Sequence, residues 1–312
     1  MLKITRSTSW LRPVAIVFSV VLLAAFGWDL WRDTQAKRLE ADAAVHQAAA
    51  VAAEQASRSL EEFDRRLLAL IYRYQSQSLR EVDPQARSLP VLEALQKEPY
   101  FAFADVLDTS GRSVAGLPRN DSTWFDSNYF GALEHSRRGD MFIGDPFSRT
   151  DEQAVGITVS RRMTDGDDRF AGVVVMGVRL VHFRRLLAQF EGSGHSVMLL
   201  RRDGTIMVRM PFRLNDVGYR LEPGTPLDVA LRTGAPSAIV FDPLDRVERQ
   251  FAFQSVGSHP LVIAVGTPVA GVSSRPSLWW LLTVCGAPLA TAPLASRRWR
   301  AWRRGRLAAL EH

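Results

Sequence analysis

One cysteine, Cys285, stands in a chain of 312 residues. An intramolecular disulfide is therefore excluded, and a cysteine-based metal site has no ligand set to draw on. Lysine is scarce too: Lys3, Lys37 and Lys97 are the only three of 39 basic residues, a bias that reads as genomic base composition. Histidine is thinly spread. His46, His135, His182, His195, His259 and His312 nowhere pair at the spacing of a metal site, and His182 and His195 read as solvent-facing. The chain lacks a G-x-S-x-G elbow, a phosphate-cradling G-x-x-x-x-G-K and a G-x-G-x-x-G. Glu61-Glu62 and Asp167-Asp168 are charge pairs on a helix face and in a turn, and nothing pushes their pKa values apart as an acid/base dyad requires. No catalytic residue, metal or cofactor is expected. A membrane-anchored periplasmic hydrolase would need a nucleophile with an activating base, which these residues do not supply.

What is present is basic charge, with a net +6 and a pI near 10.0. Its placement decides its meaning. Lys3, Arg6 and Arg12 give +3 at the start, and Arg297, Arg298, Arg300, Arg303, Arg304 and Arg306 less Glu311 give +5 at the end. The stretch from Pro13 to Ser296 is left with −2. A nucleic-acid binder carries its positive charge on the folded module that meets the phosphates, so no nucleic-acid partner is expected.

Both basic ends flank uncharged runs. Pro13 to Trp28 is free of charge for 16 residues, and Leu30 and Trp31 extend the apolar face. That is just enough to cross ~30 Å of hydrocarbon. Trp10, Trp28 and Trp31 sit where interfacial aromatics belong. Ala25 and Gly27 make a poor signal-peptide cleavage site, so an uncleaved anchor is the expectation. Pro276 to Ser296 forms a second uncharged stretch of 21 residues, with Pro288 and Pro293 implying a kink. The positive-inside rule then places both termini in the cytoplasm and residues 32–275 outside, in the periplasm of a bacterial inner membrane.

Between the spans, roughly Asp33 to Glu81 reads as one long helix without glycine or proline. Leu60, Phe63, Leu67, Leu70 and Tyr74 form a single apolar stripe, expected to pack on its own domain and to pair with a twin in a homodimer. From Phe101 the pattern turns to strands: Phe101–Asp108, Ser113–Ala115, Met141–Ile143, Ala154–Arg162 and Phe170–Arg179. Ser110-Gly111 and Asp165-Gly166 read as hairpin turns. A short helix, Val181–Phe190, precedes a further hairpin around Asp203-Gly204. That hairpin exposes a repeat: Ala104–Pro118 set over Val197–Pro211 matches Leu107 with Leu200, Gly111 with Gly204 and Pro118 with Pro211, at an offset of 93. Loop, short helix (Asn128–Arg137; Pro226–Arg232) and later strands follow in both copies, the second set being Ser237–Phe241, Arg249–Val256 and Leu261–Gly266. An α+β fold of two tandem antiparallel-sheet modules after a long helix is expected.

Four stretches carry a resemblance: TWFDSNYFGAL (Thr123–Leu133), MFIGDPFSR (Met141–Arg149), ITVSRRM with FAGVVVMGVRL (Ile157–Leu180), and SVMLLRRDGTIMVRMP (Ser196–Pro211). In that order the chain resembles the double Cache family, PAS-like extracytoplasmic sensors of bacterial receptors. SRR, FAGVV and LLRRDGT are most similar to sensors that precede a diguanylate cyclase, with histidine kinases next. The resemblance implies a dimeric receptor whose membrane-distal module binds a small molecule and moves the membrane-crossing helices. It divides the chain into a cytoplasmic start (1–12), a span (13–31), a long helix with the distal module (32–190), a proximal module (191–275), a second span (276–296) and a basic signalling-helix start (297–312).

By the same resemblance Trp124, Asp126, Tyr129, Asp145, Arg149, Ser160 and Arg161 lie near the pocket. Arg149 or Arg161 could clamp a carboxylate, Tyr129 and Trp124 could close over an apolar part, and Asp145 could take an amine. Core packing would equally explain the two aromatics, and an Asp-Pro turn would explain Asp145. Amino-acid-binding members carry an arginine just before the aromatic pair; here Ser127-Asn128 stands instead, which leaves a simpler organic acid, or no ligand, open. After the second span come 16 residues that match no GGDEF, kinase phosphoacceptor or methyl-accepting segment, and the expectation is the input half of a longer receptor. Its Arg-Trp-x-x-Trp-Arg-Arg reads as a juxtamembrane segment held by anionic lipid. A non-enzymatic membrane protein docking a periplasmic partner is the alternative.

Overall fold

A computed structural model describes residues 11–76, 81–118, 127–136, 141–147, 155–191 and 194–269. Helix α1 runs from Leu11 to Gln75. Its buried positions, Val45, Ala49, Ala52, Ala56, Leu60, Phe63, Leu67 and Leu70, keep the 3/4 spacing of one stripe. Among residues whose side chains are described, no helix is long and apolar enough to cross a membrane. The side chains of 11–20 and the whole of 276–296, on which the two expected spans fall, lie outside the described residues.

Helix α2, Pro84–Gln96, has no counterpart in the sequence reading and carries two prolines, Pro84 and Pro90. Pro84 opens the helix, where its missing N–H costs nothing, and Asp83 caps it by accepting from the backbone of Gln85 and Ala86.

The strands then follow in two sets: β1 (Phe101–Leu107), β2 (Ser113–Leu117), α3 (Ser127–His135), β3 (Phe142–Phe147), β4 (Gly156–Thr164) and β5 (Phe170–Arg179). Helix α4 (Leu180–Ala188) leads to β6 (Ser196–Arg201), β7 (Ile206–Met210), α5 (Pro226–Thr233), β8 (Ser237–Phe241), β9 (Glu248–Ser255) and β10 (Leu261–Pro268). The sheets have one topology: β2-β1-β5-β4-β3 and β7-β6-β10-β9-β8, antiparallel throughout. The repeat seen in the hairpins therefore extends to whole sheets, and the α+β expectation holds.

One face of each sheet packs on the helices. Ala104, Val106, Ile157, Val159, Val174 and Met176 of the first sheet share a core with α1, α4 and Val197, Leu199, Ile263 and Val265 of the second. Because side chains alternate along a strand, the intervening residues face away from α1. That second face positions the site.

Candidate functional site

On the first sheet the outward face is covered by α3. Phe103, Leu107, Val173 and Val175 form its apolar part, with Tyr129 and Leu133 packed down from the helix. Arg162 ties α3 to the sheet, donating from Nη1 to the Leu133 and Glu134 carbonyls at 3.0 and 2.5 Å while its guanidinium lies over the Phe170 ring. Those carbonyls end the helix, so the cation also meets the negative end of its dipole.

Strand register puts one row of side chains across all five strands: Phe142, Ser160, Val175, Asp105 and Gly116. Thr158, Gly177 and Phe103 form the neighbouring row. Ser160 and Thr158 are completely buried, and their hydroxyls have no hydrogen-bond partner among the described residues. Two such orphans side by side are unusual in a folded chain, since an unmade buried hydrogen bond costs about 1–3 kcal/mol. The Phe103 ring lies where a side chain on Gly177 would be, the Phe147 ring does the same over Gly156, and the two rings sit 5.8 Å apart.

Asp105 is the charged member of the row. Its Oδ1 accepts from Ser113 Oγ at 2.6 Å, and burial pushes its pKa up to about 6, with the Ser113 hydrogen bond opposing. Gly116 makes room for it: a Cβ there would stand 2.0 Å from Asp105 Oδ1. The outer edge of β2 is closed by Gln85, whose amide accepts from Gly116 N at 2.8 Å and donates to Gly116 O at 3.0 Å.

The same positions in the second sheet hold different chemistry. The offset of 93 superposes Asp105 on Met198 and Gly116 on Arg209. Pairing carries the equivalence on to Phe251 for Thr158, Phe253 for Ser160 and Arg249 for Gly156. Arg209 is 1% exposed and is surrounded by Asp216, Asp242 and Asp245 at 3.3, 2.7 and 2.8 Å. Arg249 holds Asp242 and Asp245 from the other side at 3.1 and 2.6 Å. The paired arginines keep Asp245 down at about 2 against the pull of burial. In the second sheet this face is thus filled by a closed ionic cluster and two phenylalanine rings. In the first it is lined by glycines, hydroxyls and a carboxylate.

Of the residues expected from sequence, Tyr129 and Ser160 come together on the outward face. Trp124, Asp126 and Arg149 lie outside the described residues. Arg161 is on the opposite face, bonded through Nε and Nη2 to both carboxylate oxygens of Asp64 on α1. Asp145 sits in β3, not in a turn, and receives Arg201 Nη2 of the second sheet at 2.5 Å. His182 is not solvent-facing: its ring is packed among Phe63, Tyr100 and Phe183, and its pKa is lowered by burial and then by Arg185. Asp105, Thr158 and Gly116 were missed. The available signal was an aspartate inside the apolar run FAFADVL.

No protein-family model matches the chain, and no curated protein matches it. Solved structures do resemble it. The extracellular domain of the histidine kinase rpHK1S-Z16 is 21% identical, with a TM-score of 0.62 over 76% of this chain and 98% of that one. The ligand-binding domain of the Pseudomonas fluorescens chemoreceptor CtaA, in complex with L-leucine, is 18% identical, with a TM-score of 0.59 over 77% of this chain and 100% of that one. The periplasmic sensory domain of the Campylobacter jejuni chemoreceptor Tlp1 is 14% identical, with a TM-score of 0.56 over 73% and 95%. At these identities the likeness is one of fold: the two sheets and their helices have the Cache-like architecture of extracytoplasmic sensor domains.

Proposed function

We propose that the chain is a transmembrane signal-transduction receptor that senses a small extracytoplasmic molecule on the α3 face of its first sheet. The single observation that carries this is the contrast between the two copies of one sheet. The second fills the face with Arg209, Arg249 and three aspartates; the first leaves the hydroxyls of Thr158 and Ser160 buried without partners among the described residues. Such hydroxyls are retained against their cost where a bound molecule hydrogen-bonds them.

The rest of the reading follows from sequence. Residues 13–31 and 276–296 are the spans, with the first module distal to the membrane, the second proximal and both termini cytoplasmic. Val51, Leu68 and Tyr72 are exposed on α1, which fits a twin helix in a homodimer. The likeness of SRR, FAGVV and LLRRDGT to sensors of diguanylate cyclases favours that output.

The test is thermal unfolding of the full chain in detergent against a library of organic acids, amines and purines. A binder at 100 times its dissociation constant stabilises by about 2.7 kcal/mol. Its shift is expected to vanish when Ser160 is replaced by Leu, which fills the row. A library that shifts nothing, or a shift that survives Ser160→Leu, overturns the reading.

A further inference from the structure

Four carboxylates are buried among the described residues: Asp105, Asp216, Asp228 and Asp242. Three have an arginine. Asp216 is held by Arg209 at 3.3 Å, Asp242 by Arg209 and Arg249 at 2.7 and 3.1 Å, and Asp228 by Arg232 at 2.7 Å. Asp105 alone has no cation among the described residues; Ser113 Oγ is its hydrogen-bond partner. A buried carboxylate without a counter-charge is costly, and proteins keep it where something else supplies that charge.

The second sheet shows what is missing. There the position equivalent to Gly116 is Arg209, whose guanidinium stands on this face among carboxylates. In the first sheet the carboxylate is in the face and the cation-bearing side chain is replaced by a glycine. The one described arginine on this face, Arg162, is spent on the end of α3. Asp105 shares its row with Ser160 across the single strand β5, so their Cα atoms are about 10 Å apart, and the carboxylate leans toward Ser113 and Gly116 on β2. Phe103 lies two residues along β1 from Asp105, with Phe147 beside its ring, an aromatic surface suited to an apolar body or to the flank of a cation.

Resting on the sensor reading above, we propose that Asp105 is the charge anchor of the site and that the ligand is a small organic cation, an ammonium group on an apolar body. The ammonium takes the place that Arg209 fills in the second sheet. Ser160 and Thr158 hydrogen-bond the far end.

The test uses the full chain in detergent with phenethylamine, isopentylamine, choline and putrescine, each matched to the alcohol and the carboxylate of the same skeleton. At pH 7.5 at least one ammonium compound is expected to raise the melting temperature while its alcohol and carboxylate counterparts do not. Asp105→Asn keeps the Ser113 hydrogen bond and is expected to weaken that compound roughly tenfold to a hundredfold, whereas Asp167→Asn in an exposed turn leaves it unchanged. Wild-type affinity is expected to fall about tenfold from pH 7.5 to pH 5, while the amine stays charged, and that of Asp105→Asn to stay flat. Stabilisation by alcohols or carboxylates instead, or an Asp105→Asn variant that binds as wild type does, overturns the cation proposal and leaves the sensor reading standing. A wild type whose stability responds to pH but to no ammonium compound makes Asp105 a proton acceptor only, and likewise overturns it. If no compound of any charge binds, the sensor reading falls as well.

Discussion

Asp145 on β3 of the first sheet accepts a hydrogen bond from Arg201 Nη2 at the end of β6 in the second, at 2.5 Å. Arg201 is fixed from behind by Asp203 at 2.9 Å and Thr205 Oγ1 at 3.3 Å, so Asp145 meets a side chain already held by its own hairpin. Asp145 is half exposed, which limits what the contact contributes. A double-mutant cycle of Asp145→Asn and Arg201→Gln, read by thermal unfolding, is expected to give a coupling of about 0.2–1 kcal/mol. Additive effects of the two changes would show that the contact does not couple the sheets.

The ionic cluster of the second sheet is a different case, because its members are almost fully buried. Arg209→Leu leaves Asp216 without its arginine and strips one of two cations from Asp242 and Asp245. Breaking a buried pair from one side costs about 3–5 kcal/mol. Asp245→Asn should cost clearly less, since Asp242 stays with both arginines. Urea unfolding checks the order; equal losses would mean that the cluster is not held together through Arg209.

Asp105 and His182 act in opposite senses across the acid range, because burial raises the pKa of the first and lowers that of the second. Asp105 has a folded pKa of about 6 against an ordinary 3.8, so between about pH 4 and 6 this group binds more protons in the folded chain than in the unfolded one. Its contribution is most favourable below about 4 and is lost as pH rises through 6, a loss of about 3 kcal/mol. Asp245, held at about 2, acts in the opposite sense and lower down: its stabilisation is present above 3.8 and disappears as pH falls toward 2. Urea unfolding of wild type and Asp105→Asn from pH 4 to 7.5 is expected to show the variant gaining about 3 kcal/mol on the wild type, the His182 contribution being common to both. A difference between the two proteins that stays constant across that window would contradict the burial of an unpaired carboxylate.

Much of this architecture is legible in the chain. The hairpin dipeptides and the offset of 93 locate both sheets, and the apolar stripe from Leu60 to Leu70 is the buried face of α1. What sequence could not supply is register and face. Arg161 and Arg162 are neighbours in the SRR segment, yet alternation sends the first to Asp64 on α1 and the second to α3. Asp105 and Ser160 are 55 positions apart and share a row only because both pair with Val175. For Asp145 the sequence offers a ligand contact or an Asp-Pro turn, whereas a bulge between Ile143 and Pro146 accommodates Pro146 within β3 and Asp145 meets Arg201. Helix α2 has no apolar stripe to announce it, and Pro84, a breaker in mid-helix, stands at its first position as an opener.

Thr158 and Ser160 set up a conflict between stability and binding that a conservative change can expose. Thr158→Val keeps the shape and removes a buried hydroxyl with no partner among the described residues; Ser160→Ala does the same at the cost of one atom. Freed of an unmade hydrogen bond, each variant is expected to be more stable than wild type by about 1 kcal/mol in the absence of ligand. The same variants should lose part of the melting-temperature shift that a bound ligand gives, because the group that destabilises the free protein is the one that meets the ligand. A structural threonine or serine would behave the other way, with lower stability on substitution. Thermal unfolding of the double variant with and without a stabilising ammonium compound separates the two: a site for that ligand requires a higher starting temperature and a smaller shift in the same protein.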